Sequence, residues 1–199
     1  MISAIVLGAG LSQRMGTLKQ LLPFGNHTVI EQVVSVLSTC TIDEIVVVLG
    51  HRHAEIAQVL SKWHVQVSLN PRYIDGMLAS LQHGWRNVHP ATNAVMHVLG
   101  DQPQLEPSVV EQLVTAYRAK NDGIFIPTFG GRRGHPILLD AQIRKEILAL
   151  DQGATMRDVM RAHIDDIHTL SVNTDSILRD MDTWDDYQRE IELRQQVMA

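Results

Sequence analysis

The sequence predicts an α/β protein, a doubly wound, mostly parallel sheet of the Rossmann-like three-layer kind. Three observations carry this. Short apolar runs rich in β-branched residues recur along the chain, segments with helical spacing lie between them, and the first run empties straight into a glycine-rich loop. Continuous apolar runs of this length suit strands covered on both faces, and their alternation with helices implies βαβ units whose carboxyl ends frame a ligand crevice.

Composition bounds the reading. At 199 residues, 45% of them hydrophobic, the chain can bury one sizeable core, so a single domain over 1–199 is expected. A net charge of -5 provides no basic field for counterion release, which argues against a nucleic-acid partner. The single Cys40 excludes an internal disulfide framework and a thiolate metal cage, and fits a reducing compartment, the cytoplasm. The N-terminal apolar run lacks a basic flank, and no stretch approaches the ~20 apolar residues of a membrane span, so neither signal peptide nor membrane association is expected.

The elements follow in order. "ISAIVL" (2–7) is the first strand, and "TVIEQVVSVL" (28–37) is a helix with Val29, Ile30, Val33, Val34 and Leu37 in one stripe. "EIVVVLG" (44–50) and "VQVSLN" (65–70) are strands; Pro71 then turns the chain, and a helix begins near Gly76 with Leu78, Leu81 and Trp85 on its apolar side. "AVMHVLG" (94–100) is a strand and "PSVVEQLVTAYRAK" (107–120) a helix with Val109, Val110, Leu113 and Tyr117 aligned. "GIFIPTF" (123–129) and "IHTLSV" (167–172) are the remaining strands. Between them, the stretch at about 130–163 breaks the rhythm with a glycine–arginine turn, an extended "HPILL" and two helices, and reads as a substrate-facing insertion. Met77, Met96, Met156 and Met160 read as core filler.

The loop "GAGLSQRMGTLK" (8–19) carries three glycines and two cations with no carboxylate. Glycines let backbone N–H groups approach phosphate oxygens, and Arg14 and Lys19 could clamp a triphosphate and stabilise a leaving pyrophosphate. Spacing excludes two familiar loops. A dinucleotide fingerprint needs glycine where Gln13 stands, and a phosphate loop of the G-x-x-x-x-G-K-[ST] type needs four residues, not five, between Gly10 and Gly16. A surface turn with two solvated bases stays open at this level. Asp101 follows the strand 94–100, at the carboxyl end where such sheets open their crevice, and suits Mg²⁺, which takes one or two carboxylates plus phosphate oxygens and water.

"LGAGLSQRMGTLKQLLPFG" (7–25) resembles the N-terminal motif of the MobA-like nucleotidyltransferases, a group that includes molybdenum cofactor cytidylyl- and guanylyltransferases. "NPRYIDGMLASLQHG" (70–84), "LGDQPQL" (99–105), "GRRGHPILL" (131–139) and "DMDTWDDY" (180–187) resemble further blocks in the same order. The resemblance implies a nucleotide site on Leu7, Gly8, Ala9, Gly10, Ser12, Arg14 and Lys19, with Asn70, Gly76 and Ser80 lining the base and ribose pocket. It implies Mg²⁺ on Asp101 and Asp182, with Lys19, Arg14 and Asp101 as the catalytic set. Asp182 also precedes Thr183 and Asp186, which match a helix capping box, so a purely structural role for it stays open. Arg132, Arg133 and His135 offer an anionic second substrate a cationic turn, although a solvated hairpin would look the same.

The "GDQP" and "GHP" blocks resemble the cytidylyl branch. The implied reaction is transfer of CMP from CTP to the phosphate of molybdenum cofactor (molybdopterin), with release of pyrophosphate, and a molybdoenzyme apoprotein or its chaperone would receive the product. Guanylyl transfer to the same cofactor and cytidylyl transfer to a sugar or polyol phosphate are alternatives, since one scaffold hosts many acceptors. So is a non-catalytic nucleotide-binding or cofactor-delivery protein, against which the two acidic positions speak.

Overall fold

The structure, a computed structural model, describes residues 1–10, 15–151 and 153–198. In chain order its first half holds β1 (Ile2–Leu7), β2 (Pro23–Phe24), β3 (His27–Thr28), α1 (Val29–Ser38), β4 (Glu44–Leu49), α2 (His53–Leu60), β5 (Gln66–Leu69), α3 (Met77–Asn87) and β6 (Ala94–Leu99). There follow α4 (Pro107–Lys120), β7 (Ile124–Phe129), β8 (Arg132–Arg133), β9 (Ile137–Asp140), α5 (Arg144–Ala149), α6 (Met156–Ala162), β10 (Ile167–Ser171) and α7 (Trp184–Met198). The strands of the main sheet lie in the order β10-β7-β9-β6-β1-β4-β5, with β8 folded back onto β7. Pairing is parallel except at β9, which runs antiparallel to both β6 and β7, and at β8.

Side chains of the central strands alternate between two cores, as a pleated strand requires. Ile2, Ala4 and Val6 of β1, with Val47 and Leu49 of β4 and Met96 and Val98 of β6, pack against α1, α2 and α4. Ile5, Val46, Val48 and Val95 point the other way, to α3, α5 and α6. Helix α3 comes unusually close. A methyl group on Gly84 would stand 2.6 Å from Cγ2 of Ile5, so only glycine lets this helix rest on the middle of β1. Trp85, the next residue, is fully buried and donates its indole N–H to Nε2 of His97 at 2.8 Å. Burial, with His135 nearby, pushes the His97 pKa down to about 3, so this core histidine stays neutral.

One expectation changes, and two features add to the sequence reading. The segment at about 130–163 was expected to face substrate as an insertion, yet β9 lies inside the sheet between β6 and β7, with Leu138 and Leu139 fully buried. The extended "HPILL" contributes to this strand, and running antiparallel to both neighbours it joins the sheet instead of standing apart from it. Not every apolar run is covered on both faces, because β5 closes one edge and leaves Val67 and Leu69 exposed. A small hairpin of β2 and β3 also follows the opening loop, turned by Gly25 at a φ of 65°.

Helix α7 crosses back over that hairpin. Met181, Tyr187 and Ile191 pack with Phe24 and Val29, Tyr187 donates its hydroxyl to the carbonyl of Pro23 at 2.7 Å, and the Trp184 indole donates to the carbonyl of Met15 at 3.2 Å. The two ends of the chain are thereby fastened beside each other. Among the described residues no helix is long and apolar enough to cross a membrane.

Candidate active site

The chain passes from β1 through β4 and β5 on one side and then crosses to β6 on the other, so the carboxyl ends of β1 and β6 form the switch point. Leu7 and Leu99 are register partners there. A cleft of about 490 Å³ opens above them, lined at one end by Lys19, Gln20, Asp101, Asp180 and Asp182 and at the other by Tyr73, Ile74, Gly76, Met77 and Ser80. One end is charged and the other largely apolar.

Lys19 anchors the charged end. Leu18, nearly buried, leads into a short 3-10 turn over Lys19–Leu21, which draws the lysine inward until the residue is only 8% exposed. Its ammonium makes an ion pair with Asp101 and a second with Oδ1 of Asp182 at 3.0 Å. Burial opposes the charge, but the two carboxylates outweigh it and hold the Lys19 pKa above its ordinary value. Asp101 sits in the turn just beyond β6. Asp182 stands two residues before α7 and enters the cap of that helix through its backbone: the carboxylate of Asp186 accepts from the Thr183 N–H at 2.9 Å, from the Thr183 hydroxyl at 2.7 Å and from the Asp182 N–H at 3.2 Å. The capping carboxylate and the acidic contact thus belong to different residues. The Asp182 carboxylate pairs with Lys19.

Two glutamines that sequence reasoning left unassigned brace this end. Gln20, 2% exposed, donates to the carbonyl of Gly8 at 3.4 Å, and Gln102, 4% exposed, donates to Oδ1 of Asp180 at 2.8 Å. Both sit inside the motifs "RMGTLKQ" and "GDQP", beside the charged residues that drew the eye. Among the described residues no cluster of three or more histidine, cysteine or acidic side chains could hold a metal. Two carboxylates already converging on one cation nevertheless meet the modest requirement of Mg²⁺, whose remaining positions go to phosphate and water.

At the other end, α3 begins on Gly76, whose φ of 100° disfavours any side chain, and Tyr73 packs so tightly on Gly50 that a methyl there would lie 2.5 Å from the tyrosine Cβ. Ile74 and Met77 are 72% and 64% exposed at the rim, so Met77 is not core filler; Met96 alone of the four is fully buried in β6.

Several expected residues fall elsewhere. The Gly8 N–H donates to the carbonyl of Val48 at 2.9 Å, extending the β1–β4 ladder, so Gly8 supports the loop from behind and Ala9 and Gly10 reach the cleft. Asn70, 2% exposed, lies behind the wall and bonds to Ser80, which does reach the cleft. Arg132 lines a second groove, shared with Arg179 and Arg189, that meets the first cleft at Asp180. Arg133 is exposed on β8 and lines neither, because alternation along a two-residue strand sends neighbours to opposite faces. His135 is close to the acidic cluster: burial lowers its pKa while Asp180 and Asp101 pull it back up. Ser12 and Arg14 lie outside the described residues.

Residues 4–167 match the MobA-like NTP transferase domain family, and the chain belongs to it. It is 27% identical over 94% of its length to the molybdenum cofactor cytidylyltransferase of Escherichia coli K12, covering 93% of that protein. Among solved structures it is similar to Rv0371c of Mycobacterium tuberculosis H37Rv, at 28% identity and a TM-score of 0.84, covering 96% of this chain and 97% of that one. That protein has also been solved in complex with manganese. A nucleotidyl transferase of Methanothermobacter, Mth528, superposes with a TM-score of 0.85 at 27% identity over 98% of this chain and 99% of its own.

Proposed function

We propose that this nucleotidyltransferase transfers CMP from CTP to the phosphate of molybdenum cofactor and releases pyrophosphate. The observation that carries the reading is the Lys19 ammonium held between Asp101 and Asp182 at the head of the switch-point cleft. A buried cation beside two convergent carboxylates is what a metal-complexed triphosphate needs from a protein, and the cytidylyltransferase relative points to CTP and to this acceptor.

In the reaction a phosphate oxygen of the acceptor attacks the α-phosphorus of CTP in line. The new P–O bond forms as the bond to the bridging oxygen breaks, and the electron pair leaves with pyrophosphate. No covalent enzyme intermediate is required. Lys19 leaves its carboxylates for the phosphate oxygens and neutralises charge gathering on the leaving group. Asp101 and Asp182, so released, would hold Mg²⁺, which when bound screens the triphosphate; the manganese complex of Rv0371c supports a divalent cation in this fold. Gln102 fixes Asp180, and His135 lies beside it toward the acceptor. Ala9 and Gly10 bring backbone to the phosphates, and Arg14 and Ser12 join them. Arg132, from the adjoining groove, meets the acceptor's anionic end. Tyr73, Ile74 and Met77 cover the base. The reaction belongs in the cytoplasm, where the free thiol of Cys40 stays reduced, and the product passes to a molybdoenzyme apoprotein or its chaperone.

Pyrophosphate release with each of the four triphosphates, with and without molybdenum cofactor, tests this. Release is expected with CTP only when the cofactor is present. Release with GTP in its place, or with CTP and a polyol phosphate, would contradict the assignment, and nucleotide binding without release across the acceptors would contradict catalysis.

A further inference from the structure

The wall between the apolar end of the cleft and the sheet contains a short chain of hydrogen bonds with a fixed direction. The Arg72 backbone N–H donates to Oδ1 of Asn70 at 2.9 Å, and Nδ2 of Asn70 donates to Oγ of Ser80 at 3.1 Å. A backbone N–H can only donate, so it determines which end of the amide is the oxygen and leaves the NH₂ facing Ser80. The serine oxygen must then accept. Asn70 and Ser80 are 2% and 4% exposed, and the Asn70 N–H is itself fastened to the carbonyl of Leu49 at 2.9 Å, so the arrangement is built into the end of β5 and the start of α3.

The Ser80 oxygen accepts from Asn70 and keeps one further lone pair, while its single proton is given in no hydrogen bond to the described residues. Ser80 lines the cleft while Asn70 does not. It stands one helical turn beyond Met77 on α3, so both side chains face the apolar end, away from Lys19. We infer that Asn70 is a positioning residue that leaves the Ser80 hydroxyl its proton to donate to the nucleoside, and that the group docking there is an acceptor, a ring carbonyl oxygen of the pyrimidine. This rests on the nucleotide site proposed above and adds the polarity of its base contact.

The relay makes an unusual prediction about two substitutions at one position. In Asn70→Asp both side-chain oxygens accept, one from the Arg72 N–H and the other from the serine hydroxyl, which turns a lone pair toward the nucleoside. In Asn70→Ala the hydroxyl is untethered and can still donate. The near-isosteric aspartate is therefore expected to be the worse variant, weakening CTP binding roughly 5- to 100-fold, the effect of losing a hydrogen bond and leaving its acceptor unpaired. A role in packing alone predicts the reverse order, because alanine removes more atoms.

CTP affinity measured calorimetrically on Asn70→Asp, Asn70→Ala, Ser80→Ala and the Asn70→Asp/Ser80→Ala pair decides it, with thermal unfolding to show that each folds. Ser80→Ala alone is expected to lose a similar factor, and Asn70→Asp to cost no more than about 2- to 3-fold further in that background. Full loss persisting in the pair, alanine worse than aspartate, or an unaffected Ser80→Ala would overturn the relay. If the wild-type protein binds another triphosphate instead of CTP, the same four variants are measured with that nucleotide. The CTP assignment then falls while the relay is still decided.

Discussion

Lys19→Met keeps the length of the side chain and removes its charge from a point where two carboxylates meet. Before nucleotide arrives, the loss is modest. The Lys19 side chain is 10% exposed, but the side chains of Asp101 and Asp182 are 23% and 43% exposed, so water screens most of the charge left behind. A pair this open is worth about 1 kcal/mol or less, which for a chain of this size moves the melting temperature by roughly 2–4 °C. In the transition state the same ammonium is expected to offset charge on departing phosphate oxygens in a partly enclosed cleft, where a single such donor is worth about 3–4 kcal/mol. Turnover of CTP should therefore fall by roughly 10²- to 10³-fold. A third consequence separates this account from simple damage: without the competing ammonium, Asp101 and Asp182 should bind Mn²⁺ more tightly in the absence of nucleotide, by about 5-fold. Because the Lys19 pKa is raised, its ion pairs are fully present below its unfolded value of about 10.4 and fail only as pH rises through the folded value, so these differences should stay level between pH 6 and 9. Pyrophosphate release and Mn²⁺ titration by electron paramagnetic resonance measure the two effects. Turnover within about 3-fold of wild type, or weaker Mn²⁺ binding in the variant, would refute the reasoning.

Three further predictions follow from the same structure. Asp101→Ala should abolish most turnover, by roughly 10²-fold or more, while circular dichroism and the melting temperature change little, since this carboxylate supports the site and not the core. Glu31 is buried; burial opposes its charge, but Lys62, the Thr28 N–H and hydroxyl, and the Trp63 indole lower its pKa to about 2. That contribution is present above the unfolded value of about 4.3 and is lost as pH falls toward 2, so Glu31→Gln should cost on the order of 2 kcal/mol at pH 7 and nothing near pH 2, read by urea unfolding at each pH. Gly84→Ala would set a methyl 2.6 Å from Cγ2 of Ile5, and despite better helix propensity it should destabilise by about 1–2 kcal/mol in the same assay.

How much of this was legible in the sequence depended on whether the signal was local. Each of the six apolar runs contains a strand, most plainly inside the sheet, where a strand with both faces covered writes its burial into consecutive residues. Asp101 was placed by the same logic, two residues beyond the end of β6. The antiparallel insertion of β9 was not legible, since strand direction is set by where the chain can turn back and not by the strand's own residues. Asn70 was expected to line the pocket because its motif does; at the end of β5 the chain turns its amide inward to hold Ser80, a choice made by the Arg72 N–H and the packing of Tyr73 on Gly50. The meeting of Lys19 and Asp182 spans most of the chain, and its cause is the docking of α7 on the β2–β3 hairpin, a contact no short window contains. Arg132 and Arg133 looked equivalent in sequence and were separated only by the alternation of a two-residue strand.

The central claim is that a metal-complexed triphosphate sits on Lys19, Asp101 and Asp182. A crystal of the protein soaked with CTP and Mn²⁺, with anomalous scattering to locate the metal, tests it directly. The account predicts a manganese peak between Asp101 and Asp182, with Lys19 turned onto the phosphates and the base toward Ser80. Nucleotide bound away from the β1–β6 switch point, or a manganese peak outside those two carboxylates, would contradict it.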